Sequence, residues 1–304
     1  MPLRERTSRV LVIGLGQIGY SSAEYISNCG MSVDGYDIEH NAIKRALQDK
    51  VIKRKASSFG GYDYYLICIS THKPGNIFLP SLDGIFEIAR QLSDQGKTDA
   101  LISIESTIIK GTTNRIKQIL DHRLHIAHLP HRFYAKEKEE HGVKQVRVLG
   151  GCEKCCTEKA VHFYKDLLKI PLHLVSSVEL AELSKIVENS YRFLEIAFAE
   201  ELRMFCDAYA VDYDELRDAV NSKWNVKILE AQKGIGGHCL PKDTSMYLDL
   251  LNRVVRHNMV EAAKKTDYLY KQHLAQKVRP KIGIPMTVKP LAKIGLEKKV
   301  MSTP

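Results

Sequence analysis

The feature that most constrains this chain is a short apolar run, Arg9 to Gly14, that passes directly into G-L-G-Q-I-G, with glycines at 14, 16 and 19. An apolar segment meeting closely spaced glycines at the start of a helical pattern demands a tight strand–turn–helix unit. The first glycine permits the turn, the second lets backbone approach a pyrophosphate, and the third lets helix and strand pack closely. The helix start, at Gln17 and Ile18, offers amide donors and a favourable dipole to an anion. A second strand-like run, Ser32 to Tyr36, is followed by Asp37, placed to accept from ribose hydroxyls and to repel a 2′-phosphate. No arginine follows it at once, so NAD is expected over NADP. The competing reading is a purely structural glycine turn.

Further strand-like runs at Asp63 to Ile69, Ala100 to Ile104 and Val146 to Leu149 alternate with helical patterns. Strands separated by helices need crossover connections, which gives an α/β fold: a Rossmann-type, doubly wound parallel sheet covered on both faces. Loops after its strands, including Ser70, Thr71, Ser106 and Thr107, then fall at the carboxyl edge where such sheets bind cofactors. From about Val178 the texture changes. Leu180, Leu183, Val187, Leu194, Phe198, Leu202 and Phe205 recur at helical spacing, predicting one long amphipathic helix from Val178 to Ala208. Helical stretches near Asp212 to Ser222, Thr244 to Val255 and Met259 to Ala275 complete an all-helical region. The expected division is a dinucleotide-binding domain over 1–175, a helical domain over 176–276 and a tail over 277–304.

The formal charge of +9 raises nucleic acid as a partner, but from Lys271 onward eight Lys or Arg face one acid, Glu297, leaving only +2 for the rest. Basicity confined to a proline-bearing tail reads as a solvated segment, and neither nucleic acid nor membrane is an expected partner. The basic opening Met1 to Arg9 runs into a strand-like segment instead of a signal-peptide core, and a cytoplasmic location is expected. Seven cysteines, odd in number and irregularly spaced, make a disulfide framework improbable.

Chemistry concentrates in Gly234-Ile235-Gly236-Gly237-His238-Cys239-Leu240-Pro241-Lys242-Asp243. Three glycines beside a cysteine suit close approach by a ligand, and Lys242 is placed to stabilise a thiolate. The same segment also reads as a glycine turn with a packed cysteine. Lys185 and Asn189, one turn apart on the long helix, can donate to a developing oxyanion, or can be a snorkelling lysine and a surface amide. Glu105-Ser106-Thr107 follows a strand, where Ser and Thr serve equally well as turn residues.

Together, G-L-G-Q-I-G, Glu105-Ser106-Thr107 with Gly111-Thr112-Thr113, Glu182-Leu183-Ser184-Lys185 with Asn189, and G-I-G-G-H-C-L-P-K-D resemble the UDP-glucose/GDP-mannose dehydrogenase family, in the same order over residues near 9 to 275. The resemblance implies a UDP-sugar substrate whose C6 alcohol is oxidised to a carboxylate with two NAD, in nucleotide-sugar metabolism and polysaccharide biosynthesis. It implies Cys239 as nucleophile, Lys185 and Asn189 as oxyanion donors, Asp243 orienting water or assisting proton transfer, and Thr107 positioning that water. Gly236, Gly237 and Lys242 are implied at the substrate, and a homodimer through the helical domain. The G-G-H-C form is similar to that of members acting on UDP-N-acetylhexosamines.

Two departures stand out. Where the family has a glutamate after His128-Leu129-Pro130, this chain has His131 and Arg132, candidates for substrate contact, with His131 a candidate base or an exposed loop histidine. The family also continues into a second α/β domain that closes on the nucleotide, and a short form lacking it is expected. Cys152-x-x-Cys155-Cys156, with His162 the only nearby histidine, is an incomplete knuckle, so no metal is expected. Two other functions compete: a two-electron β-hydroxyacid-type dehydrogenase, which does not need Cys239, and a catalytically reduced NAD-binding or regulatory protein.

Overall fold

The computed structural model describes residues 8–73, 75–133, 137, 142–237 and 239–278. The tail expectation falls almost wholly outside these residues, as does His238.

A sheet of order β2-β1-β3-β6-β7-β8-β9 organises the first part of the chain. Its central strand β1 (Arg9–Ile13) is flanked by β2 (Ser32–Tyr36) and β3 (Tyr64–Ile67), then β6 (Leu101–Ile104) and β7 (His125–His128). Alternation explains its layers. Val10, Val12, Tyr64 and Leu66 enter one hydrophobic cluster, while Leu11, Ile13, Tyr65 and Ile67 enter the other. Strands apolar on both faces must be covered on both. Helices α1 (Gln17–Asn28), α2 (His40–Gln48), α3 (Asp83–Gln95), α4 (Thr112–Ile119) and α5 (Lys154–Val161) do this, the last continuing into a π-helical turn, His162–Leu167.

The Rossmann-type architecture stands, with one difference from a wholly parallel sheet: β8 (Arg147–Gly151) runs antiparallel to β7, and β9 (Leu172–Leu174) runs parallel to β8. The sequence pattern had not suggested β7, β9 or the small antiparallel pair β4 (His72–Lys73) and β5 (Asn76–Pro80). In β7 the reason is plain: His125 and His128 bracket the apolar pair, and His128 is fully buried as though apolar.

After β9 the chain becomes helical: α6 (Val178–Tyr209), α7 (Tyr213–Asn221), α8 (Cys239–Leu251) and α9 (Met259–Val278). Helix α6 has 32 residues, about 48 Å at the usual rise, and packs against α8, α9 and β8. Its inward face is only partly the stripe read from sequence: Leu183, Leu194 and Leu202 are half-buried, and Leu194 packs on the helical core. Leu180, Val187, Phe198 and Phe205 are exposed, and Ile186, Ser190, Phe193, Ala197, Glu200 and Cys206 are buried. Small and polar residues let neighbours approach α6 closely, and the large apolar stripe faces outward.

Candidate active site

The crevice begins at the switch between β1 and β3, where the strand order reverses. Gly14 takes φ +91°, open to glycine, and a Cβ on Gly19 would sit 1.7 Å from the Gly14 carbonyl oxygen. Nothing lies within 4 Å of a Cβ on Gly16. The first and third glycines are therefore required by packing, and the second faces open space, which fits a pyrophosphate. Asp37 accepts from the Leu15 amide at 2.5 Å and the Glu39 amide at 2.8 Å, fixing the loop while each oxygen keeps a lone pair for a ribose hydroxyl. Gln17 is exposed and Ile18 half-buried at the helix start. Ser70 is exposed, Thr71 buried and Thr107 half-buried, while Ser106 donates to the Ile69 carbonyl at 2.7 Å.

The helical region meets this edge through two contacts. Lys242, at the first turn of α8, donates from Nζ to Thr71 Oγ1 at 2.8 Å and pairs with Asp243 at 3.2 Å. Asn189 on α6 donates from Nδ2 to Asp243 Oδ2 at 2.5 Å. Asp243 is 1% exposed. These bonds gather Asn189, Lys242, Asp243 and Thr71 into one cluster, and Cys239 opens α8 four residues before Asp243. The Cys239 side chain reaches the surface, yet burial and the Asp243 carboxylate push its thiol up, against Lys242 and Lys185, which pull it down. Lys185 thus acts on the sulfur across the helix interface. Gly236 and Gly237 are exposed just ahead of α8, Gly237 at φ +71°.

Two expected substrate contacts are placed differently. His131 is no exposed loop residue: it is 6% exposed, its Nε2 2.5 Å from Glu105 Oε2 and 3.0 Å from Ser22 Oγ. Burial and Arg147 lower its pKa against the pull of Glu105. Arg132 grips Glu188 of α6, with Nε at 3.0 and 3.2 Å from its two oxygens and a further, shorter bond from Nη2. It ties the loop to the helix instead of standing free for a ligand. Lys242, also expected at the substrate, is 6% exposed and engaged as described.

Sequence reasoning missed the network beneath. Glu105, 3% exposed, receives Tyr164 Oη at 2.6 Å, Ser22 Oγ at 3.1 Å, Arg147 Nη1 at 3.3 Å and the Cys68 thiol at 3.5 Å. Despite burial, Arg147 and His131 hold its carboxyl well below the usual range. The contributing residues come from α1, the residue after β3, the loop after β7, β8 and the π-helical turn, and no local spacing signals them. Ile38, 86% exposed beside Asp37, was also passed over.

Residues 179–268 match the UDP-glucose/GDP-mannose dehydrogenase family, central domain. A UDP-N-acetyl-D-mannosamine dehydrogenase of Pyrococcus horikoshii is 28% identical over 286 residues, covering 84% of this chain and 67% of the relative. One from Methanococcus vannielii is 28% identical over 278 residues, 82% of this chain and 63% of the relative. The solved structure of a UDP-D-ManNAc dehydrogenase from Pyrococcus horikoshii superposes with TM-score 0.79 at 26% identity, over 88% of this chain and 70% of that one. The chain thus spans about two thirds of the length of these proteins. Over residues 179–268, this chain is similar to the central domain of the UDP-glucose/GDP-mannose dehydrogenase family.

Proposed function

We propose that this chain is an NAD-dependent dehydrogenase that oxidises the C6 primary alcohol of a UDP-sugar to a carboxylate through Cys239. The observation that carries the reading is the Asn189–Asp243 bond, which fastens the helix bearing Lys185 to the helix that begins at Cys239. Bound NAD supplies the hydride acceptor. The glycine loop and Asp37 would hold its pyrophosphate and ribose, and the exposed Ile38 would offer an apolar surface beside them.

The residues divide the work. Oxidation of the alcohol leaves an aldehyde, to which the Cys239 sulfur adds, forming a C–S bond while its proton passes to the new hydroxyl oxygen. Loss of a second hydride from carbon, with the hydroxyl proton leaving to solvent, turns this thiohemiacetal into a thioester, and water cleaves the C–S bond, returning the thiol and releasing the carboxylate. Lys185 and Asn189 donate to the oxygen as it gains negative charge. Asp243, with Thr107 positioning the water, takes up a proton in that last step. Lys242 joins Thr71 at the cofactor edge to Asp243, so cofactor and nucleophile share one bonded cluster.

The names of the relatives support a UDP-N-acetylhexosamine over UDP-glucose. Pairing with a second copy through α6 is supported by its outward stripe: Leu180, Val187, Tyr191, Phe198, Phe205 and Tyr209 repeat at intervals of seven and four, all at least 41% exposed.

The test is NADH formed per sugar nucleotide consumed, with UDP-N-acetylmannosamine, UDP-N-acetylglucosamine and UDP-glucose. Two NADH per sugar, abolished by Cys239→Ser, is the expected result. One NADH, insensitive to Cys239→Ser, points to a two-electron dehydrogenase, and NAD binding without turnover points to a reduced or regulatory form.

A further inference from the structure

Away from the crevice, the sheet brings together three ligand-bearing side chains that are distant in sequence. His125 opens β7, and Cys155 and Cys156 lie in the first turn of α5. A ring nitrogen of His125 and the Sγ atoms of both cysteines all lie within 4.8 Å of one another. We propose that His125, Cys155 and Cys156 form a binding site for a thiophilic divalent cation, zinc by preference, with solvent as the fourth ligand.

The donor set suits that ion. Two thiolates and an imidazole are borderline-soft ligands that favour zinc over magnesium or calcium. Tetrahedral zinc with Zn–S near 2.3 Å sets sulfurs about 3.8 Å apart, within reach by small side-chain rotations from the observed spacing. The second sphere is already built. His125 Nε2 lies 2.8 Å from Asp99 Oδ1, and Lys159 Nζ lies 2.7 Å from Asp99 Oδ2. A histidine donating from Nε2 to a carboxylate keeps its lone pair on Nδ1, the arrangement typical of metal-bound imidazole.

Access and charge agree with this assignment. Cys156 is 1% exposed, packed beneath α5, whereas Cys155 is exposed, so the group opens to solvent on one side. Lys117 pairs with Glu153, which keeps its ammonium charge balanced beside Cys156. Cys152 is not one of the three side chains whose ligand atoms converge. The linear spacing concealed the site because its histidine comes from the adjoining strand; His162, the neighbour in sequence, lies 3.3 Å from Asp166.

The experiment titrates the reduced full-length chain with Zn2+ against a chromogenic chelator and with Co2+ by absorbance. One ion per chain is expected, with a thiolate-to-cobalt charge-transfer band. The Cys155→Ser/Cys156→Ser double variant and His125→Ala should lose it, Asp99→Asn should weaken binding by about 10–100-fold, and Cys152→Ser should leave it unchanged. Because ligand variants can unfold, a second readout uses the unaltered chain: Zn2+ should protect Cys155 from alkylation by iodoacetamide. Unchanged zinc affinity in the double cysteine variant, protection confined to Cys239, or no stoichiometric binding by the reduced chain would each overturn the proposal.

Discussion

The carboxylate of Glu182, fully buried on α6, caps the N-terminus of α4 by accepting from the Thr113 amide and hydroxyl, both at 2.7 Å, and from the Gly111 amide at 2.5 Å. The α4 start has no cap from its own flanking residue, Gly111. A helix terminus of the α/β region is thus completed by the helical region, one turn before Lys185. This explains why the Glu-Leu-Ser-Lys and Gly-Thr-Thr segments are both parts of one recognisable pattern: they are halves of one joint.

Glu182→Ala should destabilise the chain by about 3 kcal/mol, because three donors lose a buried charged acceptor at once. Glu182→Gln, which keeps an acceptor oxygen, should cost less. Midpoints of urea unfolding check both, and equal midpoints for Glu182→Ala and the unaltered chain would remove the joint from the account.

Asn189→Ala removes both the proposed oxyanion donor and the partner of Asp243. The expected outcome is a fall in kcat of about 100-fold with the NAD dissociation constant unchanged. Steady-state rates with the UDP-sugar, beside equilibrium NAD binding, separate the two. Equal losses in both would make Asn189 a structural bond alone.

Lys185 and Lys242 pull the Cys239 thiol down while burial and Asp243 push it up. Lys185→Ala should therefore move the pH profile of Cys239 alkylation to higher pH, with less thiolate and slower labelling at pH 8. Peptide mapping by mass spectrometry follows Cys239 apart from the other cysteines. A profile that stays put or moves to lower pH contradicts the arrangement.

Two buried groups contribute opposing terms to the pH dependence of stability. Burial, then Asp267, pushes Glu200 up to about 7. Between its ordinary carboxylate range and pH 7 the unfolded chain has lost this proton while the native chain keeps it, so stability falls as pH rises through that window and levels off above it. His128 is held down to about 3 by burial, so it stays neutral when the unfolded chain protonates, and stability also falls as pH drops below about 6.5. Glu200→Gln should remove the Glu200 term between about pH 5 and 7, up to about 3 kcal/mol, read from Tm across that range. An unchanged pH dependence there would mean that Glu200 is ionised in the native chain.

The apolar stripe of α6 predicts a dimer. Tyr191→Asp with Phe198→Asp should convert it to a monomer in sedimentation equilibrium at the same concentration. A monomeric unaltered chain would leave the stripe to another partner.

Local chemistry was legible in the sequence wherever it is local in space. The glycine loop and Asp37, the Lys185–Asn189 turn and the cysteine segment could be read because each needs fixed residues at fixed short spacing. The α/β texture and the long helix followed from periodicity. What stayed hidden depends on which face an element turns inward. The α6 stripe looked like a core because large apolar residues usually face one, but Ser190, Ala197 and Ala199 accept the close neighbours. His131 looked exposed because nothing near it in sequence announces Glu105 or Arg147.

Helix α6 uses nearly its whole circumference: Glu182 caps a neighbouring helix, Asn189 holds Asp243 of α8, Glu188 grips Arg132, and the outer stripe is apolar. A rod engaged on every side leaves little room for neutral drift. In a saturation library scored for folded protein, tolerance along this chain should therefore dip for the length of α6 and recover in α7, a surface helix whose buried residue is Tyr213.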